Sequence, residues 1–410
     1  MTDTPNAPRP LDGVRVLEVG QLLAGPFAGC MLGYFGAEVI KIEPPRGDPL
    51  RNWRILRDGT SLWWRSLARN KKSVTIDLQL PAGQDLVRRL ATKCDVLIEN
   101  FKPGTMEKWG LGPEDLRAAH PDLIYTRVSG YGQTGPYASK PGFASVCEAI
   151  GGLRFVNGYA DRPPVRPNLS LGDTLAGMHA VIGVLLALLA KRKPNCAGQI
   201  VDVAIYESVF NMLEAVVPEY DGAGLVRGPS GSTLTGIVPS NTYICADGKY
   251  VVVGANGDSL FQRLMRAIGR PDMAEDPRFS DNAGRVRHEA AIDNVLAQWA
   301  RSNDSTAVLE VLDDISVPGG PIYSVADMAA DPHFNARNLF EQVTVDGQPL
   351  KIPAILPKLA QTPGRTDWAG PALGEHTRAV LAELLALTPV TLDELARANV
   401  IQAPMRAVTS

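Results

Sequence analysis

VRVLEVGQLLAGPFAGCMLGYFGAEVIKIE, residues 14–43, alternates two kinds of segment in one short run. VRVLEVG (Val14–Gly20) is β-rich, and AGPFAGCMLGYFG (Ala24–Gly36) is an Ala/Gly/Leu stretch suited to a closely packed helix. AEVIKIE (Ala37–Glu43) is a second strand, broken by Pro44 and Pro45. The same alternation continues outward. SVTIDL (Ser73–Leu78) reads as a third strand, residues 82–93 have helical spacing, and CDVLIEN (Cys94–Asn100) is a fourth strand. A helix-like stretch at 112–119 then leads to LIYTRVSGYG (Leu123–Gly132). Strands separated by helices of this length imply βαβ units, so the expected fold class is α/β with a doubly wound parallel sheet. Ligand-binding groups should gather at the carboxyl ends of its strands.

From Ile200 the pattern changes. VDVAIYESVFNMLEAVV reads into a helix and is followed by a Gly/Ser/Thr-rich stretch, DGAGLVRGPSGSTLTG (Asp221–Gly236). SNTYICADGKYVVVGA (Ser240–Ala255) carries the hairpin signal Asp247-Gly248. Residues 258–312 are helix-like, VTVDGQPLKIPAI (Val343–Ile355) reads as another hairpin, and Glu375–Leu387 as a terminal helix. The expected organisation is a large α/β domain in 1–224, a smaller α+β domain in 225–335, and a return segment, 336–410, that completes the large domain. LAGMHAVIGVLLALLA (Leu175–Ala190) is 16 residues, short of the roughly 20 that span a bilayer, and is expected to be a core helix rather than a membrane segment.

Composition excludes several classes. With 41 Lys plus Arg against 44 Asp plus Glu in 410 residues there is no global basic field, so no nucleic-acid partner is expected. The five cysteines (30, 94, 147, 196 and 245) form no CxxC pair, and an odd count argues against a secreted disulfide framework. The five histidines form no ligand pattern, so no metal is expected. The start lacks a basic region followed by an apolar one, and a cytoplasmic location is expected. GxGxxG and GxxxxGK[ST] are absent, and GPSGS fails the GxSxG spacing.

LSLGDTLAGMHA (Leu169–Ala180) is more informative. Asp173 follows Gly172 and precedes the very apolar helix. A carboxylate there caps a helix through backbone donors, or serves as a covalent nucleophile at a cleft edge. Composition does not separate the two.

The chain resembles the family III CoA-transferases (the CaiB/BaiF type), a group that includes formyl-CoA transferase and the succinyl-CoA:glutarate enzymes. The segments that carry the likeness are PLDGVRVLEVG, LAGPFAG, GAEVIKIEPPRGD, RNKKSVTIDL, CDVLIENFKPGTMEKWGLG, SGYGQTGP, LSLGDTLAGMHAVIG and LGEHT, in order from Pro10 to Thr377. The resemblance implies a Rossmann-like large domain, an intertwined homodimer, no tightly bound cofactor, and acyl-CoA and a carboxylic acid as substrates. Asp173 matches the family's catalytic aspartate, which accepts the acyl group as a mixed anhydride and then CoA as a thioester. Leu23 and Ala24 match positions beside the pantetheine, Asn100 and Phe101 positions along the CoA, and Lys108 a phosphate contact.

Arg69, Asn70, Lys71 and Lys72 form a compact candidate group for the CoA phosphates, with Lys140 a further cation. The glycine-rich loop that covers the aspartate in the family falls at Gly228–Gly236, here GPSGSTLTG. The chain departs from the formyl-CoA enzymes at Leu23, Pro44, Phe143 and Ala144, and IVPSNTY (Ile237–Tyr243) resembles the glutarate-like branch. A dicarboxylate acceptor is therefore expected, its second carboxylate met by Arg166 or Arg46, with Gln21 and Gly236 also at the substrate. An α-methylacyl-CoA racemase shares the fold and is the alternative activity. Its characteristic histidine would fall near 142–144, where this chain has GFA.

Overall fold

The computed structural model describes residues 7–402. The chain divides into two compact units. The first gathers the described residues of Met1–Leu153, Pro167–Val217 and Ala336–Ser410; the second comprises Arg154–Arg166 and Pro218–Asn335.

The first unit is built on one seven-stranded sheet. Its strands are β1 (Arg15–Glu18), β2 (Glu38–Glu43), β5 (Lys71–Ile76), β6 (Val96–Glu99), β7 (Ile124–Ser129), β8 (Ile200–Ala204) and β14 (Ile401–Gln402), with a two-stranded hairpin, β3 (Leu56–Arg57) and β4 (Thr60–Ser61), between β2 and β5. The order across the sheet is β14-β5-β2-β1-β6-β7-β8. All neighbours run parallel except β14, which pairs antiparallel with β5. Successive strands are added outward from β1 on one side through β2 and β5 and then on the other through β6, β7 and β8, so the boundary between β1 and β6 is the topological switch point of a Rossmann-like doubly wound sheet. Apolar side chains from the two faces form separate cores, one around Val16, Val39, Val96 and Ile124 and the other around Leu17, Ile40, Val74 and Leu97.

The βαβ unit of 14–43 forms as its sequence implies. The helix Ala24–Tyr34 carries Gly25, Gly29 and Gly33 on one face. This lets it lie directly on the sheet: a Cβ on Gly29 would stand 1.8 Å from Glu18 Oε2. Beneath it is a fully buried charge cluster. Lys71 Nζ lies 2.8 Å from Glu18 Oε2, while Lys41 Nζ lies 3.2 Å from Glu18 Oε1 and 2.9 Å from Asp48 Oδ2. Burial alone would depress the Lys41 ammonium, but Asp48, Glu18 and Glu43 outweigh it and its pKa sits above the usual lysine range.

Two expectations about secondary structure change. VDVA at 201–204 is not the start of a helix but most of β8, the last parallel strand, with the helix Ile205–Phe210 following at once. The run of Val and Ala pairs along β7, and that ladder overrides any helical spacing. The apolar helix extends over Leu171–Ala190, 20 residues, so by length and composition it could cross a membrane. Ala176, Ala180, Val184 and Ala187 sit in the core against the sheet, whereas Met178, Ile182, Leu186 and Leu189 are exposed.

The second unit has a three-stranded antiparallel sheet, β9 (Ser240–Ile244), β10 (Tyr250–Gly254) and β11 (Gly319–Pro321), ordered β11-β10-β9. The β9–β10 hairpin turns at Asp247-Gly248, with Gly248 at φ 78°. Its core joins Val251 and Val253 to Phe261, Ile292, Leu296 and Val308 from the helices. This unit also takes in 154–166 and 218–224, which were expected in the large domain. Gly231 N–H donates to Gly158 O at 2.7 Å, and a Cβ on Gly231 would stand 2.8 Å from the Tyr159 ring, so 154–166 is tied to the 228–236 loop. The hairpin β12 (Phe340–Val345) and β13 (Gln348–Pro353) belongs to the first unit.

Candidate active site

In the first unit the carboxyl ends of β5, β2, β1 and β6 open into a cleft of about 570 Å³. Its walls include Gln21 after β1, Pro44, Pro45 and Arg46 after β2, Asp77, Leu78 and Gln79 after β5, and Phe101 with Trp109 after β6. Phe101 and Trp109 pack edge to face at 5.3 Å, and Arg46 is exposed at the rim.

The turn that presents Gln21 is held from three sides. Asn100 accepts the Gln21 N–H through Oδ1 at 2.7 Å and donates through Nδ2 to Gln21 O at 2.8 Å. Lys41 Nζ donates to Gly20 O at 2.7 Å. Asp48 accepts the N–H of Leu22, whose φ of 63° is left-handed, at 3.2 Å. Non-glycine residues adopt that conformation only when their surroundings fix it, and here the buried Asp48–Lys41 pair does so.

Asp173 lies in the first turn of the helix Leu171–Ala190 and is half-buried. It stands at the carboxyl edge of the same sheet. Cys147 Sγ donates to Gly130 O, just beyond β7, at 3.3 Å, and a Cβ on Gly172 would stand 3.1 Å from Ile205 Cγ2, just beyond β8. The Cys147 thiol is pushed up to about 11 by burial first, then by the nearby Asp173 and Glu148 carboxylates. From β1 to β8 is three strand spacings, about 14 Å at 4.8 Å each. One edge of one sheet thus carries a cleft near its switch point and a carboxylate farther along.

The remaining candidates fall into three groups. Leu23 and Ala24 are buried in the core, at and just after the N-cap of the helix Ala24–Tyr34. Lys108, next to Trp109, and Lys140, 3.6 Å over the Tyr137 ring, are exposed cations. Arg166 and Gly236, the latter at φ 81°, belong to the second unit.

The Arg69–Lys72 group lies at the amino end of β5, opposite the cleft, and each member is engaged inside the chain. Arg69 donates to Ser66 O and Pro353 O, Asn70 donates to Gly33 O and Arg365 O, Lys71 pairs with Glu18, and Lys72 pairs with Glu38. On the β5 side the cleft is lined by Ile76, which ends the strand, and by Asp77, Leu78 and Gln79 just after it, which the sequence reading passed over. Glu148, whose Oε1 accepts the Gly172 N–H beside Asp173, likewise gives no signal in the sequence.

Among the described residues no group of three or more His, Cys, Asp or Glu could hold a metal ion. The description of CoA-transferase family III matches residues 11–377. The succinyl-CoA–D-citramalate CoA-transferase of Chloroflexus aurantiacus is 49% identical over 397 residues, 96% of this chain and 98% of that protein. The succinate–glutarate CoA-transferase of Agrobacterium fabrum is 34% identical, over 94% of this chain and 98% of its own. A solved CAIB/BAIF family protein from Brucella suis superposes with a TM-score of 0.82 at 34% identity, covering 92% of this chain and all of that one.

Proposed function

The chain belongs to CoA-transferase family III, and from that premise we propose that it moves CoA from succinyl-CoA to a small dicarboxylic acid through covalent forms of Asp173. It is an enzyme that transfers CoA between an acyl-CoA and a carboxylate. One observation carries the finer reading: the cleft and Asp173 share the carboxyl edge of a single sheet, so an extended thioester seated in the cleft runs along the edge toward the carboxylate.

The Asp173 carboxylate attacks the donor thioester carbonyl, forming a mixed anhydride and releasing CoA thiolate. The thiolate attacks the aspartyl carbonyl of the anhydride, giving aspartyl-CoA thioester and free donor acid. The acceptor carboxylate then attacks that thioester, and the thiolate returns to the acceptor carbonyl, regenerating Asp173 and the new acyl-CoA. No net proton is consumed, and the thioester bond is conserved as long as water stays out.

Gln21, Gln79, Phe101 and Trp109 supply the cleft with polar groups and aromatic walls, and Arg46 supplies a cation for a CoA phosphate. Replacing Arg46 with Ala should weaken acyl-CoA binding by about 1.5–3 kcal/mol, the value of a hydrogen bond to a charged group. Because the contact is made equally before and during reaction, KM should rise with kcat nearly unchanged. Calorimetry with CoA alongside steady-state kinetics checks both.

The dicarboxylate assignment draws on relatives named for D-citramalate and glutarate. A panel crossing succinyl-, glutaryl- and acetyl-CoA donors with mono- and dicarboxylic acceptors, citramalate first, tests it by mass spectrometry of the products. Dicarboxylic acceptors should exceed monocarboxylic ones in kcat/KM by at least about tenfold, since an unfilled charged contact costs that much. Equal rates for monocarboxylic acceptors would defeat the assignment. The exposed Ile182, Leu186 and Leu189 on the long helix support a second copy of the chain as partner, in the intertwined homodimer that the family resemblance implies. Five free cysteines, four of them buried, support a reducing, cytoplasmic setting.

A further inference from the structure

The helix Leu171–Ala190 starts without help from its own N-cap, because Ser170 makes no side-chain hydrogen bond to the first turn. The opening N–H groups of a helix need partners from elsewhere. For Gly172, the residue before Asp173, the partner comes from another element. Glu148, on the helix Ala144–Ile150, is fully buried, and its Oε1 accepts the Gly172 N–H at 3.1 Å. The approach is close enough to favour a glycine: a Cβ at Gly172 would stand 3.2 Å from Glu148 Cγ and 3.1 Å from Ile205 Cγ2, so both side chains would have to give way by a few tenths of an ångström. The helix bearing Glu148 is itself wedged in place, since a Cβ on Gly151 at its end would stand 2.7 Å from Tyr206 O.

A buried carboxylate is tolerated where hydrogen bonds hold it, and the N-terminus of a helix favours one. Here Glu148 satisfies the donor adjacent to Asp173. We propose that Glu148 is a positioning residue for the transfer reaction. It fixes the turn 171–173 from the neighbouring helix by accepting the Gly172 N–H, and so sets where the Asp173 carboxylate stands. This rests on the reading of Asp173 as the nucleophile.

Glu148→Gln keeps an oxygen that can accept the Gly172 N–H, whereas Glu148→Ala removes it. The Ala variant should lose about 10²-fold in kcat, the scale of a misplaced reacting group, with KM for acyl-CoA within about threefold. Trapping of the acyl-enzyme by hydroxylamine should slow in parallel. The Gln variant should stay within about threefold of the parent in kcat, and its Gly172 amide should remain protected in hydrogen exchange. A purely structural role would lower the amount of folded protein without this kcat-specific loss and without rescue by Gln.

Parental kcat in a folded Ala variant would overturn the proposal, as would a Gln variant that falls as far as Ala. If the Ala variant does not fold, the Gln variant decides: near-parental kcat with a protected Gly172 amide supports positioning, and loss of either overturns it. Labelling of Asp173 in the parent, measured in the same experiment, separates failure of this proposal from failure of the nucleophile reading.

Discussion

Replacing Asp173 with Ala is expected to lower CoA transfer by about 10⁴-fold or more, the scale on which loss of a covalent nucleophile acts. In the proposed mechanism the intermediate must be reactive toward both a thiolate and a carboxylate, which the anhydride and thioester of a carboxylate side chain are, and an Ala methyl forms neither. Binding of CoA should be retained within about threefold, since the cleft of Gln21, Arg46, Gln79 and Phe101 is built from other strands of the sheet. The fold should lose no more than about 1 kcal/mol, the value of one carboxylate in the first turn of a helix. Transfer by the purified variant at a tenth of the parental rate or faster would remove Asp173 from the mechanism.

The largest effect on stability is expected at Glu18. Its carboxylate holds Lys71 and Lys41, and all three side chains are essentially excluded from solvent. Glu18→Gln preserves volume beneath Gly29 but leaves Lys41 its pair with Asp48 and takes from Lys71 the carboxylate it pairs with. Breaking a buried ion pair from one side costs about 3–5 kcal/mol, because the remaining charge stays buried without compensation. Urea unfolding should show that loss. Replacing Glu18 and Lys71 together by Met should cost less than the single change, since no orphaned charge is left at Lys71. A single-variant loss below about 1 kcal/mol would mean that the cluster relaxes or admits water.

The sequence and the structure agree where local pattern and tertiary role coincide. Residues 14–43 read correctly because the glycine-rich helix and its flanking strands are punctuated by Gly20, Gly36 and the Pro44-Pro45 break. β8 was hidden because no turn residue separates Ala204 from the helix that starts at Ile205. β14 was hidden because it is two residues long and exists only through its pairing with β5. The Arg69–Lys72 cluster is visible as charge, but its partners Glu18 and Glu38 lie far away in sequence, and only strand polarity reveals that it sits at the amino edge. Asp77, Leu78 and Gln79 follow from the rule that ligands meet the carboxyl ends of strands, applied to β5. Asp173 stands out as a candidate through the LSLGDTLAGMHAVIG segment, and the structure places it in the first turn of the long helix. Glu148 does not stand out, because its meaning depends on one hydrogen bond between two helices.

The covalent role of Asp173 is tested most directly by peptide mass mapping after incubation with succinyl-CoA and hydroxylamine. Hydroxylamine attacks the aspartyl carbonyl of either intermediate, converting it to a hydroxamate and releasing CoA thiol from the thioester or the donor acid from the anhydride. The peptide containing Asp173 should carry that change in the parent, in proportion to succinyl-CoA turnover, and should lack it when succinyl-CoA is omitted. An unmodified Asp173 peptide while transfer proceeds, or a hydroxamate on a different acidic residue, would contradict the account.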